Sequence, residues 1–347
     1  MAAVLTKPPT GFACSIDRTV NVLAIETSCD ETAVAVVRHE QGRTRILADV
    51  VHSQAMHARY GGVVPEIASR AHAEQMVPTV RAALMEAGLD RPDLVAATAG
   101  PGLIGAVLVG LSFGKAAAVG WGVPYFGVNH LEGHLLSAQL DDPSPVFPFL
   151  SLVISGGHTT LYEARKMADY RAVCATTDDA VGEAFDKVAR MLGLGYPGGP
   201  AIEALAKSGN PRAVAFPLPR PAARPMDLSF SGLKTAVRTW IDRHPETSPA
   251  DVAASFQDTV ARYLVDRVKQ GVAQTGLRRL AIGGGAAANE HIRRALVDTG
   301  LEVFLPPKSR CTDNAAMIGH VAAARWAQGE APWPLDRSAR ARWEVGA

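Results

Sequence analysis

Cysteine is scarce in this chain and scattered: Cys14, Cys29, Cys174 and Cys311 are the four in 347 residues, and no two form a CxxC pair. That excludes a disulfide framework and a thiolate zinc site, and makes a reducing cytoplasm the simplest compartment. Charge imbalance is equally absent. With 35 Lys and Arg against 34 Asp and Glu, the formal charge is +1. There is thus no broad electrostatic footprint for nucleic acid or an anionic membrane, and any RNA contact has to be local or shared with a partner. Residues 1–20 hold Lys7, two prolines and no continuous apolar core, so they make no secretory leader and read as a flexible N-terminal extension. Leu94 to Gly114 runs 21 residues without a charge, long enough to resemble a membrane span. Ala99-Gly100-Pro101-Gly102 breaks it into a short strand and a small-residue helix, which predicts a buried α/β crossing and no membrane contact.

What is present is an ordinary globular balance, 48% apolar and 20% charged residues, at a length that suggests about two domains of ~150 residues. Val22 to Ile25 and Thr32 to Val37 are β-like runs around the polar turn Cys29-Asp30-Glu31, a hairpin with hydroxyls and carboxylates at its tip. A strand near Ile46 to Val51 follows, then a helix from Pro65 to Leu84 closed by Gly88, a strand at Asp93 to Ala97, a helix at Leu103 to Val119 and a strand at Tyr125 to Val128. The second half begins at Pro148. Phe149 to Ile154, the turn Ser155-Gly156-Gly157-His158-Thr159 and Thr160 to Ala164 make a hairpin that echoes the first and predicts two related lobes. These are placed at residues 21–145 and 146–330, with 331–347 as a C-terminal tail. Helices are expected at Val181 to Leu192, after Tyr196-Pro197-Gly198-Gly199-Pro200, at Gly232 to Ile241 and at Val252 to Ala273. Residues 211–225, with five prolines and three arginines, read as an extended insertion or lid.

The chemistry centres on Asn129-His130-Leu131-Glu132-Gly133-His134. Two imidazoles four residues apart at the opening of a helix share one face and can hold a metal ion, although such a pair is also common as a plain surface or core feature. The best third ligand is Asp313, in Cys311-Thr312-Asp313-Asn314 at the start of another helical pattern. Two histidines and a carboxylate leave coordination positions open for substrate or water. A zinc peptidase places its Glu directly after the first His. Leu131 stands there instead, and Glu132 lies on another face of the helix, open to a solvated, capping or general-base role; peptidase chemistry is disfavoured.

Further along, Leu280-Ala281-Ile282 ends in Gly283-Gly284-Gly285 before a helical pattern from Ala286 to Leu296, with Asn289 one turn in. A strand, a glycine turn and a helix start turn backbone N–H groups toward a phosphate. Together with the two hairpin tips, this turn describes a cleft between lobes that grips a nucleotide.

Taken in order, Ile25-Glu26-Thr27-Ser28-Cys29-Asp30-Glu31-Thr32, Gly61-Gly62-Val63-Val64-Pro65-Glu66, Thr98-Ala99-Gly100-Pro101-Gly102-Leu103, Asn129 to His134, Ser155 to Thr159, Gly182-Glu183-Ala184-Phe185-Asp186-Lys187, Tyr196 to Pro200, Ser229-Phe230-Ser231-Gly232-Leu233-Lys234-Thr235 and Cys311 to Asn314 resemble the bacterial TsaD family, over about Asn21 to Ala327. The resemblance implies a two-lobed α/β fold of the actin/Hsp70/hexokinase-like (ASKHA) kind with a nucleotide cleft between the lobes. It also implies a tRNA N6-adenosine threonylcarbamoyltransferase, which moves a threonylcarbamoyl group from threonylcarbamoyl-AMP to N6 of the adenosine following the anticodon, in tRNAs reading codons that begin with A.

By the same resemblance, His130, His134 and Asp313 are ligands of one divalent metal ion, with iron (Fe2+) favoured and zinc admitted, since donor softness does not choose between them. Val153, Ile154, Ser155, Gly156, Gly157, Asp186, Gly199 and Asn289 are the implied substrate-binding positions. The implied partners are tRNA, TsaB, the ATPase TsaE, and a TsaC-type enzyme upstream that makes the intermediate. Archaeal relatives place a Tyr metal ligand where this chain has Val153, which implies a site with fewer protein ligands.

On this reading Ser155-Gly156-Gly157 holds phosphate or carboxylate through backbone N–H groups, Asp186, Gly199 and Asn289 fix the adenosine part, and the metal polarises the carbamate or the leaving phosphate. The tRNA base has to be splayed out of its loop to reach them. No residue is assigned as general base. An ASKHA-type ATP-dependent phosphotransferase would share the fold, but would open its first loop with Asp where Glu26 stands and has no use for the histidine pair. A non-catalytic binding relative would lack the metal residues.

Overall fold

The computed structural model describes residues 19–141, 144–219, 221 and 224–346. The expected N-terminal extension lies outside the described residues up to position 18, as do three positions of the Pro/Arg-rich segment. The first lobe is built on β1 (Val20–Glu26), whose residues Val22 to Ile25 are fully buried, as a central strand covered on both faces requires. On one side β1 pairs antiparallel with β2 (Glu31–Glu40), which pairs antiparallel with β3 (Arg43–Ser53). On the other side lie β4 (Leu94–Gly100) and β5 (Tyr125–Asn129), both parallel, giving the order β3-β2-β1-β4-β5. The connecting helices are α1 (Pro65–Ala87), closed by left-handed Gly88, α2 (Ile104–Trp121) and the short α3 (His130–Leu136).

The second lobe repeats this plan. Its strands are β6 (Phe149–Ile154), β7 (Thr159–Lys166) and β8 (Asp169–Ala175), then β9 (Arg279–Gly283) and β10 (Glu302–Phe304). The order is β10-β9-β6-β7-β8, with β6, β7 and β8 antiparallel and β6, β9 and β10 parallel. Laying β6 on β1 superposes order and direction throughout, so the echo between the two hairpins extends to whole sheets and the fold is the two-lobed ASKHA architecture. Between β8 and β9 come α4 (Val181–Met191), α5 (Gly198–Ala206), α6 (Ser231–Arg243) and α7 (Pro249–Thr275), followed by α8 (Glu290–Val297) and α9 (Ala315–Ala327). The helix expected from Ala286 to Leu296 is divided: Gly285–Ala288 form a 3-10 turn and α8 starts only at Glu290.

Among the described residues, three apolar clusters hold these layers together. In the middle one, α3 and α9 lie between the two sheets, joining Phe126 and Val128 of the first to Val153 and Ala281 of the second through Leu131, Leu135, Met317, Ile318 and Val321. Although α9 is the last helix, it packs on the first sheet, where a Cβ on Gly319 would come within 2.8 Å of Val37. The tail returns to the same sheet. Trp333 N–H donates to Tyr125 O on edge strand β5 at 2.8 Å, and Arg340 N–H to Ala99 O at 2.8 Å. Helix α2 departs from the buried crossing expected for it. By length and composition it could span a membrane, with 18 residues at mean hydropathy 1.5, yet 33% of it is buried. Gly110 and Gly114 press on Thr27 and Ala97, while Ile104, Leu108, Ser112, Ala116 and Val119 form an uncharged exposed stripe.

Candidate metal centre and nucleotide cleft

Three neighbouring strand ends deliver the centre. The carboxyl ends of β1, β4 and β5 set Glu26, Thr98 and Asn129-His130 side by side, the place where α/β sheets bind ligands. Asn129 caps α3 by accepting from Leu131 N–H at 2.9 Å, so His130 opens the helix and His134 follows one turn on. Their ring centroids lie 4.7 Å apart at 86°. Between them, Gly133 leaves room for α9: a Cβ there would come within 2.9 Å of Met317. That close crossing carries the start of α9 to the histidines. Asn314 caps α9 through Met317 N–H at 3.0 Å, and Asp313, just outside the cap, puts Oδ1 3.0 Å from His134 Nε2 and 3.6 Å from His130 Nε2.

The donor atoms of His130, His134 and Asp313 lie within 4.8 Å of one another. Two imidazole nitrogens and a carboxylate oxygen at that spacing fit a divalent cation and leave its remaining positions open. Electrostatics favour positive charge there. Burial opposes protonation of His130, but the Asp313 and Glu26 carboxylates outweigh it and push its pKa up to about 9. Burial would raise Asp313, yet His130 and His134 hold it well below the usual carboxylate range. Glu31 is pushed up to about 9 by burial and then by Asp313 and Asp30. His158 is driven down to about 4 by burial and by the two histidines, so it stands neutral beside the centre.

Glu132 has neither a solvated nor a capping role. It is 1% exposed, pairs with Arg325 Nη2 at 2.6 Å and accepts from the Tyr170 hydroxyl at 3.0 Å. Its carboxylate is committed to holding α3 against α9 and β8, which removes it as a general base and so takes from a peptidase reading the residue that suggested it.

The substrate positions read from the resemblance fall on a closed circuit of second-lobe turns. Val153 and Ile154 end β6 with their side chains in the core. Ser155 O accepts from Gly182 N–H at 3.2 Å at the start of α4. Asp186 on α4 accepts from Gly198 N–H at 2.7 Å at the start of α5, beside Gly199. Glu203 on α5 accepts from Glu290 N–H at 2.9 Å at the start of α8, beside Asn289. Gly284, at φ +93°, closes the circuit against Ile154, whose carbonyl a Cβ would approach to 2.4 Å. Gly156, Gly157, Gly199 and Gly285 differ from these packed positions, since a Cβ on any of them would meet no atom within 4 Å, leaving their backbone open to a ligand. Asn289 is not one turn into a helix. It caps α8 by accepting from Ile292 N–H at 3.0 Å and donates to Gln257 Oε1 at 2.8 Å, so its amide is already engaged.

The circuit and the metal centre adjoin. Gly283 backs directly onto His134, whose carbonyl oxygen a Cβ would approach to 2.2 Å, and His158 shares its turn with Ser155, whose N–H donates to the His158 carbonyl at 2.8 Å. From across the lobes, Arg190 on α4 donates to Gly61 O at 2.7 Å. Sequence reasoning missed Glu26, Thr98 and His158 as members of this site. The available signal was an acid ending a fully apolar strand, Val22 to Ile25, with no charged neighbour in sequence to pair it.

The TsaD profile, described as tRNA N6-adenosine threonylcarbamoyltransferase, matches residues 45–320. The chain belongs to the TsaD family. It is an enzyme, a transferase, by that membership. Curated TsaD relatives include the tRNA N6-adenosine threonylcarbamoyltransferase of Anaeromyxobacter dehalogenans, 50% identical over 93% of this chain and 99% of that protein. That of Trichlorobacter lovleyi is 48% identical over 93% and 98%. Among solved structures the fold is shared with HypF of T. kodakarensis, at TM-score 0.64 and 14% identity over 90% of this chain, which spans about half of HypF (49%). It is also shared with component A of the (R)-2-hydroxyglutaryl-CoA dehydratase of Acidaminococcus fermentans, at TM-score 0.51 and 17% identity over 89% and 99%.

Proposed function

We propose that this TsaD-family chain transfers the threonylcarbamoyl group of threonylcarbamoyl-AMP to N6 of the adenosine following the anticodon, in tRNAs reading codons that begin with A. The observation that carries the reading is the adjacency of two sites: the His130, His134, Asp313 centre and a circuit of open glycines and helix starts, joined where Gly283 backs onto His134. A phosphotransferase needs only the second. Here the acid that ends β1, Glu26, is engaged by His130.

The new bond forms between adenine N6 and the carbamoyl carbon; the bond from that carbon to the phosphate oxygen breaks, AMP leaves with the electron pair, and N6 loses a proton. The backbone N–H groups of Gly156 and Gly157 orient the phosphate or the threonyl carboxylate, that of Ser155 being engaged by the His158 carbonyl within the same turn, and Asp186, with Gly199 and the Asn289 turn, fixes the adenosine part. His130, His134 and Asp313 would hold a divalent ion, which we take as iron ahead of zinc, and which when bound supplies Lewis-acid polarisation of the carbamate. The neutral His158 beside them adds no positive charge that would repel it.

We also take the lobes to divide at residues 145 and 146, with α9 and the tail returning to the first lobe. The chain acts in the cytoplasm with TsaB, TsaE and a TsaC-type supplier of the intermediate. The exposed uncharged stripe on α2 is the surface we assign to TsaB, because a patch of this kind calls for a protein cover. The deciding experiment is transfer of labelled threonine into an unmodified tRNA reading A-starting codons, with threonylcarbamoyl-AMP and TsaB supplied. Labelled tRNA supports the reading; no label, with phosphorylation of a sugar or acetate instead, overturns it.

A further inference from the structure

Glu26 is a fully buried carboxylate at the end of β1, and every contact it makes is to a donor. Its Oε1 accepts from Ser28 N–H at 2.5 Å. Its Oε2 accepts from Thr98 Oγ1 at 2.5 Å and faces His130 Nδ1 at 2.9 Å. The register explains the convergence: Ile25 pairs with Ala97 across β1 and β4, so Glu26 and Thr98 are the next residues at neighbouring strand ends, and His130 follows the end of β5. An ionised carboxylate can only accept, so the hydrogen between Glu26 and His130 sits on Nδ1. The Ser28 hydroxyl, 3.1 Å from the same nitrogen, lies second to it. With Nδ1 committed to Glu26, Nε2 is the nitrogen left to ligate a metal, whose binding displaces any proton it carries, and it is turned toward Asp313, 3.6 Å away.

We propose that Glu26, braced by Thr98 and Ser28, is the positioning residue that fixes the tautomer and ring orientation of His130 so that Nε2 serves as its metal-ligating atom. The inference rests on the metal reading of the His130, His134, Asp313 centre. It separates the two histidines. Among the described residues nothing hydrogen-bonds the buried His134 Nδ1, so the centre has one ligand braced from behind by a carboxylate and one whose ring has no such brace on the far side from Asp313. Carboxylates placed behind ligating histidines raise ligand basicity and fix the ring, and their loss typically lowers metal affinity about 10–100-fold.

Glu26→Gln tests it, because the amide must present its NH2 either to Ser28 N–H or to His130 Nδ1–H, and both are donors. The full chain is titrated with Zn2+ alone against a chelator, and the Zn2+-loaded, 15N-histidine-labelled protein is examined by NMR for the nitrogen of His130 that carries hydrogen. Expected are a wild type with hydrogen on Nδ1 of His130, and a Glu26→Gln protein that binds Zn2+ about 10–100-fold more weakly at an unchanged number of sites. Unchanged Zn2+ affinity in Glu26→Gln overturns the proposal. So does hydrogen on Nε2 of His130 in the loaded wild type, a result that needs no variant to fold. Failure of the wild type to bind Zn2+ at all sinks the metal reading itself and is thereby told apart. Thermal unfolding of Glu26→Gln alongside separates loss of the site from loss of the fold: a fall in affinity matched by melting at the assay temperature counts against a positioning role.

Discussion

The carboxylate of Glu132 lies 2.6 Å from the guanidinium of Arg325, buried between α3 and α9, although Glu132 stands between two histidines that converge on another point. The residue that most suggests a protease base in the sequence is thus a structural anchor. Burial pushes its carboxyl up while Arg325 and the Tyr170 hydroxyl pull it down. Removing one partner of a buried pair leaves the other charge uncompensated. Glu132→Ala is expected to lower folding stability by about 3 kcal/mol while leaving metal content and turnover per folded molecule unchanged. Urea unfolding and metal analysis check this; a stable Glu132→Ala protein with abolished transfer would return Glu132 to the chemistry.

Asp313 is the ligand that comes from outside α3, and its removal leaves two imidazoles with no charge to balance a divalent ion. Asp313→Ala and His134→Ala are each expected to reduce bound metal from about one ion per chain toward zero, and to lower threonylcarbamoyl transfer by about 100-fold or more. Elemental analysis beside the labelled-threonine assay reads both. Full metal content in Asp313→Ala would remove it from the ligand set.

The glycines divide into those the fold needs and those it leaves open. Gly284→Ala drives a Cβ toward Ile154 O at a φ of +93° and is expected to cost about 3 kcal/mol or more. Gly156→Ala meets no atom within 4 Å, so stability should stay within about 0.5 kcal/mol while binding of an AMP analogue weakens about tenfold. Calorimetric titration with the analogue decides; unchanged affinity in Gly156→Ala places the ligand elsewhere.

Away from the cleft, His320 lies buried on α9 beside a cavity of about 270 Å³. Its Nδ1 meets Thr44 Oγ1 at 2.8 Å and its Nε2 meets Gln139 Oε1 at 3.2 Å. Burial, with His39 adding like charge, drives its pKa down to about 4 from an ordinary 6.5. A folded-state value below the unfolded one means that the unfolded chain binds the extra proton, so this contribution is complete above pH ~6.5 and is lost as pH falls toward ~4. Between pH ~7 and pH ~5 His320 should account for about 2 kcal/mol of lost stability. Denaturant unfolding at the two pH values, on wild type and His320→Gln, measures it: the variant should lose less by about that amount, and equal losses would contradict the assignment.

How much of this was legible beforehand follows from the range of the interactions. Val22 to Ile25, Phe149 to Ile154 and the helix that Gly88 closes were readable because burial and capping leave local patterns, and the pairing of His130 with His134 because helical spacing is fixed along the chain. Strand β10, three residues long, and β8 carry too little pattern to stand out. The Asn289 side chain was placed in a helix because its capping geometry depends on a 3-10 turn that propensity does not foretell.

The sequence by itself determined the doubled hairpins, the family, the histidine pair and the glycine turns, since each is written in contiguous residues. Only the tertiary structure decided that α9 crosses back to meet Gly133 and so delivers Asp313, that Glu132 is consumed by Arg325, and that Glu26 stands behind His130. These are contacts between residues 104 to 193 positions apart. Such pairings are set by sheet register and by how closely two helices can approach, and no local pattern records them.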